Sequence, residues 1–193
     1  MSRTTWDWAI FETLNFDGPQ WFDLCMRLVS GVAMWVPLYI LIIYMVYQRY
    51  SWRGILAFLV AVGVALGMAD VVAGIFKHQG LLGELCSDLP ARLRPMYTDD
   101  LEAFTNGYGR AGKYGTISAH AATIVVIAML SSIVVARRWF TVLMTIVALL
   151  VCYSRIYLAC HFPQDILLGV MLGALSTLCG WWIFRHIVRL LTS

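Results

Sequence analysis

Charge is what this chain has least of. Of its 193 residues, 13% are Asp, Glu, Lys or Arg and 61% are hydrophobic, and the mean hydropathy is +0.76. An ordinary soluble domain carries about a quarter charged residues, so a water-soluble globular domain is excluded. Metal-ligand spacing is missing too. Cys25, Cys86, Cys152, Cys160 and Cys179 form no CxxC pair, and no HExxH occurs, so a zinc site has no support. Residues 1–20 contain neither a continuous apolar core nor a small-residue cleavage site, and no removable signal peptide is expected. There is no internal repeat and no low-complexity tract. A net charge of +3 gives no ground for a nucleic-acid partner.

What is present is apolar sequence in long runs. A hydrocarbon core of about 30 Å needs roughly 20 helical residues, and five stretches approach or exceed that: Trp21–Tyr47, Gly54–Phe76, Ile117–Ala136, Trp139–Ser154 and Phe162–Phe184. The expected fold is all-α: a polytopic helical membrane protein with five transmembrane helices. One membrane-embedded domain, 1–193, is expected, with no soluble module. Trp6, Ile10 and Leu14 recur at helical spacing, which predicts an interfacial helix within residues 1–20. Three arginine pairs, Arg49 with Arg53, Arg137 with Arg138 and Arg185 with Arg189, fall on one side in a five-span count. Short cytoplasmic loops collect such charges, so that side is assigned to the cytoplasm. A cell inner (plasma) membrane location follows, with the 79–116 loop and the turn around Arg155 on the outer side. Trp21, Trp52, Trp139 and Trp181 fall near span ends, as belt residues do. Cys86 and Cys160 would share the oxidising exterior and be able to pair, although free thiols are the simpler expectation.

Three stretches concentrate polar groups where the membrane makes them expensive. They are Lys77 with Arg92-Leu93-Arg94-Pro95, then Gly115-Thr-Ile-Ser118-Ala119-His120, and then Ser154-Arg155-Ile-Tyr-Leu-Ala-Cys-His161-Phe-Pro-Gln-Asp165. Arg155 lies 17 residues beyond Arg138, about 25 Å at 1.5 Å per residue. His120 precedes Arg137 by 17 residues and Asp165 precedes Arg185 by 20. Each stretch therefore sits one membrane thickness from a cytoplasmic arginine, and all three share the outer surface.

Phosphate suits this collection. Guanidinium groups match its oxygens, and the open amides at Ser118, Ala119 and His120 begin a helix, where an anion is favoured. His161 is a candidate nucleophile, with Asp165 to fix its tautomer and stabilise developing charge. His120 is left to protonate the leaving oxygen. Pro163 and Asp165 both fit the start of a helix. With enough cationic donors, no metal or other cofactor is needed.

Arg94-Pro95, Ser118-x-His120 and Ser154-Arg155-x5-His161-x3-Asp165 resemble the three signature motifs of the type-2 phosphatidic acid phosphatase superfamily, over about Lys77 to Asp165. The resemblance implies transient phosphorylation of His161, assisted by Asp165, with His120 serving the leaving group. It assigns phosphate binding to Arg94, Arg155, Lys77 and the Ser118–His120 backbone. It further implies metal-independent removal of phosphate from a membrane lipid. Two departures stand out. The family places a lysine seven residues before the arginine of its Arg-Pro, where this chain has Ser87, so Lys77, Lys113 and Arg92 are the cations available for that role. In the usual Pro-Ser-Gly-His motif this chain has Ile117 and Ala119.

The expectation is a lipid phosphatase hydrolysing a phosphomonoester or terminal pyrophosphate. The resemblance offers an isoprenyl pyrophosphate, phosphatidylglycerol phosphate, phosphatidic acid and a lipid A phosphate as substrates. Residues 79–116 are expected to form an outer catalytic loop whose Glu84, Asp88, Asp99, Asp100 and Glu102 screen headgroups. Transfer to an alcohol acceptor at the same site, vanadate-dependent halide oxidation and non-catalytic lipid binding are the competing readings. Arg92, Lys113 and Arg27 are expected to be solvated, headgroup-contacting or snorkelling charges, and Asp70 a helix-pairing carboxylate. Oligomeric state is left open.

Overall fold

Apolar runs become helices because only a helix satisfies its own backbone without water, and this chain follows that rule. The computed structural model describes residues 5–78, 80–86, 88–99, 101–109 and 111–192; Ser87 and Asp100 lie outside the described residues. Among the described residues seven α-helices follow in order: α1 (Thr5–Leu14), α2 (Gln20–Ser30), α3 (Val36–Ile75), α4 (Gly80–Leu85), α5 (Ala119–Val135), α6 (Arg138–Tyr157) and α7 (Pro163–Thr192). Among the described residues there is no strand, only an antiparallel bridge between Leu93 and Tyr114.

The expected first span, Trp21–Tyr47, is two pieces. Helix α2 stops at Ser30, where Gly31 adopts an extended conformation. A 3₁₀ turn at Ala33–Trp35 follows, and α3 opens with proline in its first turn. Glycine is a poor helix former, and proline restricts the residue before it, so hydropathy alone overran a real boundary. Two polar side chains of α2 bond to other segments of the chain. Asp23 accepts a hydrogen bond from the Tyr157 hydroxyl at 2.6 Å, and Arg27 donates to the Gly107 carbonyl at 3.1 Å.

Helix α3 is a hairpin of two arms, 36–50 and 52–75. Ser51, with φ 58° and ψ −166°, is the non-helical residue between them. Ile42 and Val46 of the first arm share a buried cluster with Ala57, Phe58 and Ala61 of the second. Among the described residues α6, α7 and the 33–75 stretch are long and apolar enough to cross a membrane, and α5 is a shorter apolar helix; with the two arms of α3 counted separately these make five apolar helical segments. At the hairpin end Arg49 donates to the Val135 carbonyl at 2.8 Å and Arg53 to the Leu191 carbonyl at 2.7 Å. Both supply a cation and a donor where helix carbonyls run out.

Small residues set the spacing between helices. Ala57, Ala61, Ala65, Ala69 and Ala73 form a fully buried stripe on the second arm of α3. A side chain on Gly169 of α7 would come within 2.5 Å of the Ser118 carbonyl, and one on Gly173 within 2.6 Å of the Ala122 carbonyl. Such close backbone approach is how membrane helices gain contact without a hydrophobic driving force. It presses the start of α5 against α7, and the Ser118 amide donates to the Asp165 carbonyl at 3.0 Å.

Helix α1 carries the exposed Trp6 and Ile10 expected of an interfacial helix, but its other face is buried. Phe11 and Trp8 pack on Phe162, with ring centroids 5.2 and 5.9 Å away. All five cysteines are free thiols.

Candidate active site

Helix α6 ends at Tyr157, and Ala159 takes a left-handed conformation (φ 53°). The turn folds back so that the Cys160 and His161 amides both donate to the Arg155 carbonyl, at 2.9 and 3.2 Å. Pro163 then opens α7, and the Asp165 carboxylate caps it by accepting the Phe162 amide at 2.9 Å. Arg155, His161 and Asp165 are thereby fixed by one tight turn. All three are buried.

The loop closes over this turn as two paired extended strips. The Arg94 amide donates to the Lys113 carbonyl at 3.1 Å, and the Gly115 amide to the Arg92 carbonyl at 2.8 Å. Arg94 is carried inward, where its Nη1 donates to His161 Nε2 and to the Cys160 carbonyl, both at 3.3 Å, and its Nε to the Tyr114 carbonyl at 3.1 Å. His161 Nδ1 lies 3.0 Å from the Gly115 carbonyl. A carbonyl only accepts, so Nδ1 holds the proton and Nε2 keeps its lone pair. Asp165 Oδ2 stands 3.5 Å from Nδ1, so the sequence-based pairing is present as a near charge and the direct hydrogen bond belongs to Gly115.

Three buried cations gather here. Lys77, just past the end of α3, and Arg94 are each 6% exposed, and Arg155 is 2% exposed. Arg155 donates to Ser30 and, at 3.2 Å, to the Tyr108 hydroxyl. Its Nε is buried with no hydrogen-bond partner. Burial, with Arg94 nearby, lowers Lys77 to about 8, and burial likewise pushes Arg94 down from its ordinary value. Burial first, then Arg94, Lys77 and Arg155, holds His161 well below the usual histidine range, so its imidazole is neutral at physiological pH. Gathering like charges away from water is costly unless an anion joins them. Of the three cations open for the first-motif role, Lys77 lies in the cluster, Lys113 is exposed, and Arg92 turns to Asp7 at 2.6 Å.

The second motif enters from the other side. Ser118 caps α5, its hydroxyl accepting the Ala121 amide at 3.3 Å. The Ser118 amide is already engaged by Asp165, so the open amides of this turn are those of Ala119 and His120. His120 is exposed and lines a cavity of about 270 Å³ with Ser30, Trp35, Tyr39 and Asp70. Lys77, Arg94 and Arg155 are charged neighbours of both His120 and His161. Among the described residues no group of three or more His, Cys, Asp or Glu is placed to hold a metal ion.

Sequence reasoning missed several parts. The Gly115 carbonyl leaves no side-chain signature. Arg92, expected to be a solvated or headgroup-contacting charge, pairs with Asp7, which is fully buried; an acid between two tryptophans was the available signal. Arg27 is exposed and donates to the Gly107 carbonyl, a partner that its sequence did not indicate. Ser154 serves only its own helix, donating to the Val151 carbonyl at 2.7 Å.

A family model described as the PAP2 superfamily matches residues 58–189, which include every residue from Lys77 to Asp165. A protein of Bacteroides thetaiotaomicron named lipid A 4'-phosphatase is 30% identical over 187 residues, 93% of this chain and 76% of the relative. A Porphyromonas gingivalis protein of the same name is 28% identical over 166 residues, 85% of this chain and 66% of the relative. The crystal structure of a transmembrane PAP2-type phosphatidylglycerolphosphate phosphatase from Bacillus subtilis superposes with a TM-score of 0.62 at 18% identity, covering 94% of this chain and 84% of that one. With two thirds of its length inside the family model and its helices in the fold of a membrane member, the chain belongs to the PAP2 superfamily and is a phosphatase of its integral-membrane, lipid phosphatase branch.

Proposed function

We propose that this protein hydrolyses a phosphomonoester of a lipid A-type glycolipid at the outer membrane surface through a phosphohistidine at His161. The observation that carries the reading is the buried cluster of Lys77, Arg94 and Arg155 around an imidazole whose Nδ1 proton is held by the Gly115 carbonyl. Phosphate oxygens take up the cations and the Ala119 and His120 amides. The His161 Nε2 lone pair attacks phosphorus, the P–O bond to the lipid breaks, and His120, protonated once the bound phosphate dianion offsets the cations around it, gives its proton to the departing oxygen. Neutral His120 then takes a proton from water as that water attacks phosphorus. The P–N bond breaks, releasing inorganic phosphate and free His161. Asp165 and the Gly115 carbonyl stabilise the positive ring between the two steps. The substrate class is supported by the two relatives named lipid A 4'-phosphatase, and the outer-side placement by the arginines gathered at the opposite end.

Phosphate release from lipid A, phosphatidylglycerol phosphate, phosphatidic acid and an isoprenyl pyrophosphate in detergent tests the substrate. Lipid A is expected to give the highest kcat/KM; a preference for any of the others removes the headgroup assignment. Appearance of a new phosphoester in place of inorganic phosphate would mark a transferase.

The Lys77 ammonium sets a pH limb. In the free protein it is charged below about 8 and neutral above, so kcat/KM is expected to fall as pH rises through that value. Arginine keeps its charge throughout, so in Lys77→Arg the alkaline limb moves beyond pH 10. A limb left where it was would show that another group titrates.

A further inference from the structure

Arg92 is tied to both groups that face the Nδ1 side of His161. Its backbone carbonyl accepts the Gly115 amide at 2.8 Å, and the carbonyl of that same Gly115 faces Nδ1. Its Nη1 lies 3.6 Å from Asp165 Oδ1, while Asp165 Oδ2 faces Nδ1. The guanidinium is held on its other edge by α1, with Nη2 2.6 Å from Asp7 Oδ2. It lies 3.8 Å over the Phe162 ring, which Trp8 and Phe11 of the same helix brace. Asp7 and Asp165 are 0% and 1% exposed, and both cap the start of α7, Asp7 through the Gln164 amide at 2.8 Å and Asp165 through the Phe162 amide. Two buried carboxylates at one helix start repel each other unless a cation lies between them. Arg92 lies between them.

We infer that Arg92, anchored by Asp7, is a positioning residue that holds the Asp165 carboxylate and the Gly115 carbonyl against the Nδ1 side of His161. The amino-terminal helix thereby becomes part of the catalytic machinery, although Asp7 lies outside the residues the family model matches. Demand for this support peaks when Nε2 carries phosphorus and the ring is positive, because only then must Nδ1–H donate to its acceptors as a cation. The inference rests on the phosphohistidine reading of the site.

A double-mutant cycle with p-nitrophenyl phosphate, whose good leaving group keeps weak variants measurable, tests it. Arg92→Gln is expected to lower kcat by about tenfold or more, the scale on which outer partners of reactive groups act, with KM little changed. In an Asp165→Asn background the same substitution is expected to change kcat less than twofold, because the carboxylate that the Arg92 side chain positions is already gone and the Arg92 backbone still holds Gly115. Arg92→Lys restores part of the rate. Asp7→Asn lowers kcat in the same direction, and it reads the coupling should Arg92→Gln fail to fold. Independent, multiplying effects of Arg92→Gln and Asp165→Asn would overturn the inference, as would full turnover in both Arg92→Gln and Asp7→Asn. Full turnover in His161→Ala would instead remove the reading beneath it.

Discussion

His161→Ala is expected to lower lipid phosphate release by about 10⁴–10⁶-fold, the loss seen when a covalent nucleophile is removed from a hydrolase. The imidazole is fully buried, and Arg94 and the Gly115 carbonyl occupy its two nitrogens, so water gains no equivalent place from which to attack. The substitution also strands the Gly115 carbonyl, a cost of about 1–3 kcal/mol that weakens the fold as well. His161→Gln separates the two effects: its side-chain amide keeps a donor in the pocket but offers no nucleophilic nitrogen. Both variants are expected to be equally inactive, with the glutamine protein melting closer to the unmodified one. Quenching the unmodified protein during turnover of ³²P-labelled substrate is expected to yield alkali-stable, acid-labile label on the protein, absent from both variants. Turnover of His161→Gln within tenfold of the parent would rule out covalent catalysis at this residue.

The second large effect carries opposite signs in activity and stability. Arg155 is buried, donates to Ser30 and Tyr108, lies over the Tyr108 ring at 5.0 Å, and has an unpartnered Nε. No carboxylate pairs with it among the described residues, and Lys77 and Arg94 are its charged neighbours. A cation positioned on a transferring phosphoryl group contributes about 10³–10⁵ in rate, so Arg155→Met is expected to lower kcat/KM by roughly 10³-fold or more. The same change removes one of three mutually repelling charges and fills the space with an apolar side chain. In phosphate-free detergent the variant is therefore expected to melt at a higher temperature, a trade of stability for activity common at functional sites. Adding inorganic phosphate should raise the melting temperature of the unmodified protein by mass action and leave Arg155→Met nearly unmoved. A variant that melts lower than its parent and still responds to phosphate would show that Arg155 holds helices together and not the ligand.

The parts of the site readable from sequence are those that one local turn fixes. Arg155, His161 and Asp165 lie within eleven residues, so the end of one helix and the start of the next decide their geometry. Ser118 and His120 were readable because a helix start has its own signature. Span counting worked for α5, α6 and α7, where apolar runs end at arginine pairs or proline. It failed at Gly31, where the run continues but the helix does not, and a hydropathy window has no means to register a single extended residue. The Gly115 carbonyl was invisible because any residue carries a carbonyl; only its position 46 residues before His161 in the chain makes it a partner. The Asp7–Arg92 pair was missed for a different reason. An amphipathic helix looks the same whether its polar side faces water or a buried counter-charge, and the choice between them is made by the tertiary fold.

On the proposed mechanism, the Arg94 contact with His161 Nε2 at 3.3 Å leaves the attacking nitrogen capped before substrate arrives. A lone pair engaged by a guanidinium is a weaker nucleophile than a free one. Phosphate oxygens are stronger acceptors than a neutral imidazole, and an arriving headgroup therefore draws the guanidinium onto itself and bares the nitrogen in the same motion. If His161 is the nucleophile, recognition and arming become one event, and a ligand with its own negative charge is what releases the catch.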